Sequence, residues 1–397
     1  MKILYIHQYF NTPKDAGGTR SYWISKELIN SGHEVTMLTT NRSDKRLGQI
    51  DIDGINVIYL NIPYNNSMSI LQRLFSFVKF MLLSSWMVLT KGKWDLVIAT
   101  STPLTVGFPA LVAKKLRKIP YLFEVRDLWP EVPVQMKGIT NRSIIWLAYW
   151  FEKQIYKNAS HIIALSPGMR DGVLKTGIPG KKVTVIPNMS KIDKFWPRPK
   201  NQLLEKELGL EPNSFKVVYF GTMGLANGMD YILDAAKQIG VNKDIEFVFM
   251  GSGASEELLQ QQCKEAGLTN MFFLGRVAMD RLSEIVNLCD VSLVTFKNLP
   301  ILATNSPNKL FDSLSAGKPL IVNSAGWTKD MVEHHACGLY ADVTKPEHLV
   351  QQILLLKKDP ELKKQLGDNG RKLAESTFDK SILCKQFSEL VWQLNGS

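Results

Sequence analysis

Cysteine and histidine, the residues that most often carry redox and transition-metal chemistry, are scarce in this sequence of 397 residues. It contains six histidines and four cysteines. The cysteines, Cys263, Cys289, Cys337 and Cys384, are too far apart for a CxxC motif. We therefore expect reduced thiols that have no metal-binding or redox role.

Nucleotide-cleaving and membrane-spanning patterns are also absent from the sequence. Neither G-x-x-x-x-G-K-[ST] nor a complete G-x-G-x-x-G occurs, which argues against ATP hydrolysis and hydride transfer. The uncharged run from Phe80 to Thr90 has 11 residues, short of the roughly 20 that cross a bilayer. The opening run, Met1 to His7, is too short for a signal peptide and is typical of a first β-strand. The reduced thiols and the lack of a signal-peptide pattern together predict a cytoplasmic protein.

Positive charge is concentrated in the first half of the chain. Residues 1–198 hold 27 Lys and Arg against 13 Asp and Glu, a net +14, whereas residues 199–397 hold 21 against 24, a net −3. The first half is therefore expected to meet an anionic partner: nucleic acid, a phospholipid surface or a phosphorylated substrate. Nucleic acid is the weakest of these, since no recognised binding motif accompanies the charge.

Apolar segments of strand length alternate with helical patterns along both halves. They occupy residues 2–7, 34–39, 95–100, 120–125, 161–165, 216–221, 245–250, 271–275, 291–295 and 319–323. Strands that are apolar on both faces and alternate with helices predict parallel sheets covered on both sides. We therefore expect an α/β protein with two Rossmann-like, doubly wound domains facing across a ligand-binding cleft.

A proline-interrupted segment, residues 185–200, predicts the boundary between these domains. The first domain is predicted to comprise residues 1–197 and the second residues 198–379. A C-terminal helix at about 380–397 is expected to pack back on the first domain.

Glycine-containing loops follow the first strand of each predicted domain. Gly17, Gly18 and Arg20 precede a helix in the first half. The corresponding segments of the second half contain Gly221, Thr222, Gly224, Asn227 and Gly253. Glycines let the backbone approach an anion, and a helix N-terminus offers unpaired N–H groups. A tight turn without a ligand is an equal alternative for the first of these loops.

The segment from Thr304 to Ile321 predicts a short helix that begins at the end of a strand. Ser306 is a suitable N-cap, Pro307 suits the first turn, and a Gly-Lys-Pro sequence ends the helix. Lys309 falls in the first turn, where the helix dipole disfavours a cation. A bound diphosphate would reverse that penalty.

Asp312 lies one helical turn after Lys309 and could accept hydrogen bonds from ribose hydroxyls. The alternative is a solvated pair of Lys309 and Asp312. Arg276, at the end of another predicted strand, is a candidate second positive charge or an ordinary surface arginine.

Read together, these segments resemble the retaining GT-B glycosyltransferases of glycosyltransferase family four. The resemblance is carried by residues 17–20, 185–188, 221–224, 251–253, 275–277 and 306–321. The segment Glu124 to Glu131, EVRDLWPE, is similar to a narrower branch: the bacterial fucosaminyl- and acetamido-sugar transferases of O-antigen and capsule synthesis. This implies transfer of an N-acetylated hexosamine or deoxyhexosamine from a nucleoside-diphosphate sugar, expected to be UDP-linked, to a polyprenyl-diphosphate-linked acceptor. No metal cofactor is implied.

The resemblance also assigns parts of the donor to positions in this chain. It assigns the base to the loop with Arg276 and Val277, the ribose to Asp312, and the diphosphate to Lys309 with the helix N-terminus. The remaining donor-binding residues that it implies are Gly17, Gly18, Arg20, Thr222, Asn227, Gly253, Ser306 and Asn308.

Two departures from the family pattern concern charge. The acidic residue that is common eight positions before Asp312 is replaced by Thr304, and an Arg and a Lys common in the first loop of the second domain are replaced by Thr222 and Asn227. We therefore expect Lys309 and Arg276 to supply more of the positive charge.

Asp127 follows the predicted strand 120–125 and stands where many relatives have a histidine. It is predicted to accept the acceptor's proton or stabilise positive charge, the alternative being a buried ion-pair cluster with Glu124, Arg126 and Glu131. The segment Asp51-Ile52-Asp53 is a nominal D-x-D motif, but it lies in a strand-like stretch, so no metal site is predicted.

Residues 69–92 form an unusually apolar predicted helix in the basic half. Arg73, Lys79 and Trp86 within it are typical of a helix lying in the plane of a membrane, although a core helix is equally consistent. A second aromatic-rich helix is predicted at residues 144–151. We expect the basic half to dock peripherally on the anionic inner face of the cell membrane, where the lipid-linked acceptor resides.

Two other functional classes are consistent with these patterns. One is a sugar-nucleotide epimerase of the same fold, which would need acid–base groups in the cleft, where histidines are few. The other is a non-catalytic nucleotide-sugar-binding protein, for which the residues Thr304, Thr222 and Asn227 would be signs of lost activity.

Overall fold

The computed structural model describes residues 1–15, 17–40, 48–63, 68, 70–240 and 244–395. The chain divides into two compact units, the first formed by Met1–Pro187 with Ser381–Ser397 and the second by Asn188–Lys380. The boundary follows Pro187 rather than Pro197. Residues between these two prolines belong to the second unit because Phe195 is fully buried in its core, stacked on Phe220.

The first unit is built on an eight-stranded sheet with the order β3-β4-β2-β1-β5-β6-β7-β8. Its strands are β1 (Lys2–Ile6), β2 (Glu34–Thr40), β3 (Gly48–Ile52), β4 (Ile55–Leu60), β5 (Leu96–Thr100), β6 (Tyr121–Val125), β7 (His161–Ala164) and β8 (Val183–Val185). All neighbours pair in parallel except β3, which forms an antiparallel hairpin with β4.

Three strands of this sheet were not predicted from the sequence. β3 is almost wholly exposed and polar, β4 alternates between buried and half-buried residues, and β8 has only three residues. The criterion of a continuous apolar run finds strands buried on both faces, so it misses the exposed edge strand β3, the alternating strand β4 beside it and the short edge strand β8.

The helices of the first unit cover its sheet. They are α1 (Arg20–Asn30), α2 (Ile70–Thr90), α3 (Gly107–Arg117), α4 (Glu131–Gln135), α5 (Arg142–Asn158) and α6 (Pro167–Lys175). α2 packs against α3, and α3 packs against α5. These three helices are therefore neighbours in one layer.

The second unit has a six-stranded, all-parallel sheet with the order β11-β10-β9-β12-β13-β14. Its strands are β9 (Phe215–Phe220), β10 (Ile245–Met250), β11 (Met271–Phe273), β12 (Val291–Val294), β13 (Leu320–Val322) and β14 (Gly338–Tyr340). Its helices are α7 (Gln202–Glu207), α8 (Met229–Ile239), α9 (Glu256–Glu265), α10 (Met279–Leu288), α11 (Asn308–Ser315), α12 (Trp327–His334), α13 (Pro346–Lys358) and α14 (Pro360–Leu373). Only β14, three residues long, was not predicted.

The last helix, α15 (Lys380–Asn395), returns to the first unit. It buries Leu383, Phe387 and Val391, whose spacing of four places them on one face. Trp392 stacks against His33 with the ring centroids 4.7 Å apart. The first unit is therefore completed by residues from both ends of the chain.

Among the described residues, α2 alone is long and apolar enough to cross a membrane, with a mean hydropathy of 1.3 over Gln72–Thr90. One stripe of this helix is nevertheless buried within the unit: Ser76, Phe80, Ser84 and Val88. The stripe repeats every four residues, as expected for a helix that packs on its neighbours along one face.

Candidate active site

Three loops of the second unit are joined at the carboxyl ends of neighbouring strands. Gly221 N, just after β9, donates a hydrogen bond to Met250 O at 2.8 Å, and Met223 N donates to Ser252 O at 3.1 Å. Gly251 N, after β10, donates to Gly275 O at 2.7 Å. Parallel sheets bind ligands at this edge, so the loops form the base of a candidate donor site.

Gly251 and Gly253 are required by the close contact between two of these loops. A Cβ atom on Gly251 would lie 1.9 Å from Gly221 O, and one on Gly253 would lie 2.3 Å from Met223 O. Both distances are far inside van der Waals contact. The donor-binding role of Gly253 stays a prediction, but contact between the loops already accounts for glycine at this position.

Lys309 lies beside the first of these loops and has an unusual environment for a lysine. The side chain is 8% exposed, and its Nζ lies 3.5 Å from the ring centroid of Tyr219. Its Cε would be 3.3 Å from a Cβ on Gly221. Nζ has no hydrogen-bond partner among the residues that the structure describes, and burial lowers its pKa well below the usual range. An anionic ligand at this loop would satisfy Lys309.

Asp312 does not pair with Lys309, so the sequence-based alternative of a solvated Lys–Asp pair is wrong. Its carboxylate is 4% exposed and lies 3.1 Å from the Nζ of Lys191, which is also buried. Burial raises the pKa of Asp312, and the nearby Lys191 opposes that rise. The predicted ribose contact of Asp312 therefore has to coexist with this ion pair.

The start of α11 differs from the prediction. Pro307, not Ser306, occupies the N-cap position, because its extended backbone, with ψ at 140°, delays the first helical residue to Asn308. The Ser306 side chain therefore does not cap the helix. Its Oγ is buried without a hydrogen-bond partner in the described part of the chain, whereas its carbonyl accepts from Asn188 Nδ2 at 2.5 Å.

The positions that depart from the family pattern have contacts within their own loops. Thr304 Oγ1 donates to Ile301 O at 2.7 Å, at the end of a 3-10 turn. Asn227 Oδ1 accepts from Gly224 N at 3.2 Å, and the Thr222 carbonyl accepts from Tyr219 Oη at 2.7 Å. Thr222 and Asn227 thus shape the loop after β9 without adding positive charge to it.

Arg276 lies in the same group of loops. Its Nε donates to Ser252 Oγ at 2.5 Å, and its side chain is exposed. The structure therefore holds Arg276 beside the loop Gly251–Gly253, with Val277 half-buried after it.

A second polar cluster lies in the first unit, at the carboxyl ends of β1, β5 and β6. Asp127 follows β6, is half-buried and accepts a hydrogen bond from Thr102 Oγ1 at 3.4 Å. Burial raises the pKa of Asp127 to about 6, and the positive charge of Arg126 opposes the rise. A carboxyl with this pKa can exchange protons near neutral pH.

Two of the acidic neighbours proposed for an ion-pair cluster with Asp127 are engaged elsewhere. Glu124 binds Arg20, with 2.9 Å between Oε2 and Nε, and accepts from Thr100 Oγ1 at 2.6 Å. Glu131 accepts from Gln135 Nε2 at 2.6 Å and from the Tyr149 hydroxyl. The hydrogen-bond partners of Asp127 therefore differ from those of Glu124 and Glu131.

Arg20, predicted to bind the donor, is bound inside the first unit. It is 2% exposed, and in addition to Glu124 it donates to the carbonyl of Pro187 and, at 3.0 Å, to that of Ile186. We therefore assign Arg20 a structural role. The neighbouring Gly17 has a φ of +119°, so its conformation favours glycine whether or not the loop, with Gly18, binds a ligand.

The D-x-D segment occupies a hairpin. Asp51 Oδ1 accepts from Gly54 N at 3.0 Å, and Asp53 Oδ2 accepts from the Tyr22 hydroxyl at 2.7 Å. Within the described ranges, no group of three or more His, Cys, Asp or Glu side chains is arranged to hold a metal ion. The four cysteines are all buried, and none forms a disulfide.

Two family models match the chain, one in each half. The model described as a glycosyl transferase 4-like domain matches residues 16–189, and the model described as glycosyl transferases group 1 matches residues 200–373. Together they cover most of the sequence.

Several relatives of known sequence are glycosyltransferases by name. The chain is 24% identical over 260 residues to alpha-galactosylglucosyldiacylglycerol synthase of Streptococcus pneumoniae, covering 64% of each chain. It is 23% identical over 336 residues to a glycosyl transferase assigned to colanic acid biosynthesis in Escherichia coli, covering 80% of this chain and 79% of the relative. It is 27% identical over 285 residues to UDP-Gal:alpha-D-GlcNAc-diphosphoundecaprenol alpha-1,3-galactosyltransferase of Escherichia coli, covering 70% of each.

Solved structures show the same fold. Sucrose-phosphate synthase from Thermosynechococcus elongatus matches with a TM-score of 0.80 and 20% identity, covering 99% of this chain and 98% of that one. Anabaena HepE in complex with UDP-glucose matches with a TM-score of 0.73 and 19% identity, covering 99% and 100%. The predicted fold class, two Rossmann-like domains of the GT-B type, is confirmed.

Proposed function

Because this chain is a glycosyltransferase that belongs to the GT-B enzymes of family four, we propose that it builds a bacterial surface polysaccharide such as O-antigen, lipopolysaccharide or capsule. The donor is a UDP-linked N-acetylated hexosamine or deoxyhexosamine, and the acceptor is a saccharide on polyprenyl diphosphate. Transfer retains the anomeric configuration. The named activities of the relatives from Escherichia coli support this class of reaction.

The observation that carries the proposal is the buried Lys309 beside the loop that begins at Gly221, whose Nζ has no hydrogen-bond partner among the described residues. A departing nucleoside diphosphate gains negative charge in the transition state, and preorganised cations and N–H groups stabilise it. We assign this task to Lys309, Arg276 and the first N–H groups of α11. In this proposal they do the work that a metal ion does in other transferases.

At the acceptor side, we assign the catalytic role to Asp127. Its carboxylate accepts the proton of the acceptor hydroxyl or stabilises the positive charge of the oxocarbenium-like sugar. Both roles need the ionised form. The half-buried position beside Arg126 favours a carboxyl whose protonation changes near neutral pH.

The pH dependence of transfer tests this role. Since the pKa of Asp127 is about 6, kcat should be constant above pH 7 and fall about tenfold per pH unit below pH 5. Asp127→Asn should lose most activity together with this acidic limb. A wild-type profile that is flat between pH 5 and 8, or an Asp127→Asn variant with unchanged turnover, would exclude the assignment.

Membrane docking is the second part of the proposal, and it rests on the neighbouring helices α2, α3 and α5. Large apolar side chains on them are exposed: Leu74, Phe75, Leu82, Trp86, Leu116, Ile144, Trp146, Leu147 and Trp150. The same helices carry basic residues: Arg73, Lys79, Lys114, Lys115, Arg142 and Lys153. Exposed tryptophans with lysines and arginines are typical of a helix face that lies on anionic lipid. We therefore propose a cytoplasmic enzyme bound peripherally to the inner face of the membrane.

Flotation with vesicles tests this docking. The full-length protein should float with vesicles containing anionic phosphatidylglycerol and be released by high salt. The double variant Trp86→Ser/Trp146→Ser should bind at least tenfold more weakly, since a loss of about 1.4 kcal/mol of apolar burial is a factor of ten. Leu203→Ser, at an 81% exposed position of the second unit, is the matched control. Equal flotation of all three proteins would contradict the proposed surface.

Transfer itself is tested with radiolabelled UDP-N-acetylhexosamines and a bacterial membrane extract. The proposal predicts label in the lipid fraction. Label in a changed soluble nucleotide sugar would indicate an epimerase, and binding without turnover would indicate a non-catalytic protein. Either result would overturn the assignment.

A further inference from the structure

His7 is a buried residue of the first unit that the proposed mechanism does not use. It follows β1 directly, is 2% exposed and is connected to groups on two other elements. Its Nδ1 lies 2.7 Å from Ser21 Oγ on α1, and its Nε2 lies 3.1 Å from Arg126 NH1, after β6.

The chemistry of these two contacts determines the state of the imidazole. A guanidinium group can only donate hydrogen bonds, so Nε2 must accept from Arg126 and carries no proton. The proton of the neutral ring is therefore on Nδ1, which donates to Ser21 Oγ. A doubly protonated His7 would place two donors and two positive charges against each other.

Arg126 is in turn the charged residue that adjoins Asp127 in the chain. Arg20 of α1 and Glu124 of β6 are charged groups of the same cluster, and they pair with each other at 2.9 Å. Tyr5 of β1 faces the same three charges, and burial and Glu124 raise its pKa. Because Arg20 and Glu124 offset each other, Arg126 is the cation that opposes the burial of Asp127.

We propose that His7 is a positioning residue, whose neutral ring holds the guanidinium of Arg126, the residue that directly precedes Asp127 in the chain. This rests on the proposed role of Asp127 in glycosyl transfer. Ser21, on α1, holds the imidazole ring of His7. The ring, directly after β1, in turn holds Arg126, directly after β6. Loss of the bond at Nε2 releases Arg126 and weakens its effect on Asp127.

Two substitutions separate the two nitrogens of His7. His7→Asn keeps a polar group near the position of Nδ1, facing Ser21, but does not reach Arg126. His7→Gln reaches the position of Nε2 with an oxygen that accepts from Arg126. The Asn variant should move the acidic limb of kcat upward by about one pH unit, lowering activity about twofold at pH 7 and about ninefold at pH 5. The Gln variant should restore most of the wild-type profile.

The KM for the UDP-sugar should be unchanged in both variants, because the donor contacts proposed above lie in the second unit. In an Arg126→Met background, His7→Asn should cause no further change. Equal pH profiles for the Asn and Gln variants, or an additive effect with Arg126→Met, would overturn the proposal.

A readout that needs no turnover separates this inference from the proposed function. In the full-length protein, the Asp127 carboxyl can be titrated by ¹³C NMR in wild type and in both variants. An upward shift in His7→Asn and not in His7→Gln would support the positioning role even if no transfer were detected. An unshifted titration in both variants would refute it even if transfer were observed.

Discussion

Lys309→Met should make the free enzyme more stable and the reaction much slower. The buried ammonium, with no hydrogen-bond partner in the described residues, costs desolvation energy that the Tyr219 ring offsets in part. Methionine removes that cost, so the second unit should gain on the order of 1 kcal/mol or more in unfolding free energy. Loss of the cation from the departing diphosphate should lower kcat by about 10²–10³-fold. Affinity for UDP, measured by calorimetry, should fall with it.

The gain in stability has a defined pH dependence. Burial lowers the Lys309 pKa below that of an unfolded lysine, so the unfolded chain binds this proton more readily. Wild-type stability therefore rises with pH towards the ordinary lysine pKa of about 10.4, and the advantage of Lys309→Met shrinks over the same range. Thermal unfolding of wild type and Lys309→Met at several pH values measures this difference in stability.

A second buried lysine provides the matched control. Lys216 is 0% exposed, but its Nζ lies 3.0 Å from Glu205 and donates to the Glu211 carbonyl at 2.6 Å. Lys216→Met should therefore destabilise the same unit, by about 3–5 kcal/mol, because it leaves a buried carboxylate without its partner. If Lys309→Met destabilises to the same extent, or keeps full activity, then Lys309 is an ordinary core residue and the donor site is wrong.

Arg20→Met should destabilise the first unit by about 3–5 kcal/mol, because a buried carboxylate that loses its cation is among the costliest single changes. Glu124 is 1% exposed, and the two main-chain carbonyls that Arg20 binds would also lose their donor. The measurement is the calorimetric transition of the first unit, resolved from that of the second, since two-domain unfolding is not a single step.

Two controls isolate the buried pair. Arg20→Met/Glu124→Gln removes both charges and should recover part of the loss. Lys2→Met breaks an exposed pair with Glu34 in the same unit and should leave the transition unchanged. If Arg20→Met keeps the wild-type transition but raises the KM for the UDP-sugar, the sequence-based prediction that Arg20 binds the donor is correct and the structural role is wrong.

The sequence predicted that Lys309 binds an anion because a cation in the first turn of a helix is otherwise unfavourable. This conflict with the helix dipole is visible without a structure. The sequence could not predict what surrounds this lysine. The ring beneath it belongs to Tyr219, and the partner of Asp312 is Lys191. These pairs are separated by about a hundred residues of chain, and periodicity carries no information about which distant elements meet.

Arg20 and His7 show the same limit of sequence-based prediction. The local sequence suggests a role for Arg20 that differs from its contacts, and it suggests no role for His7. Arg20 follows two glycines at a helix start, a context typical of phosphate binding, yet its partners come from β6 and from residues 186 and 187. His7 directly follows an ordinary apolar strand, and nothing in the local sequence distinguishes it. Both roles depend on which strands are neighbours in the sheet, and residue patterns within a single strand do not specify that order.

The return of α15 to the first unit affects how the protein is made. A ribosome adds residues 188–380 between the last strand of that unit and the helix that covers part of it. The surface buried by Leu383, Phe387 and Val391 therefore stays exposed until α15 has been synthesised. The second unit, continuous in the chain, can fold first, and the nascent first unit is the part that chaperones would be expected to bind.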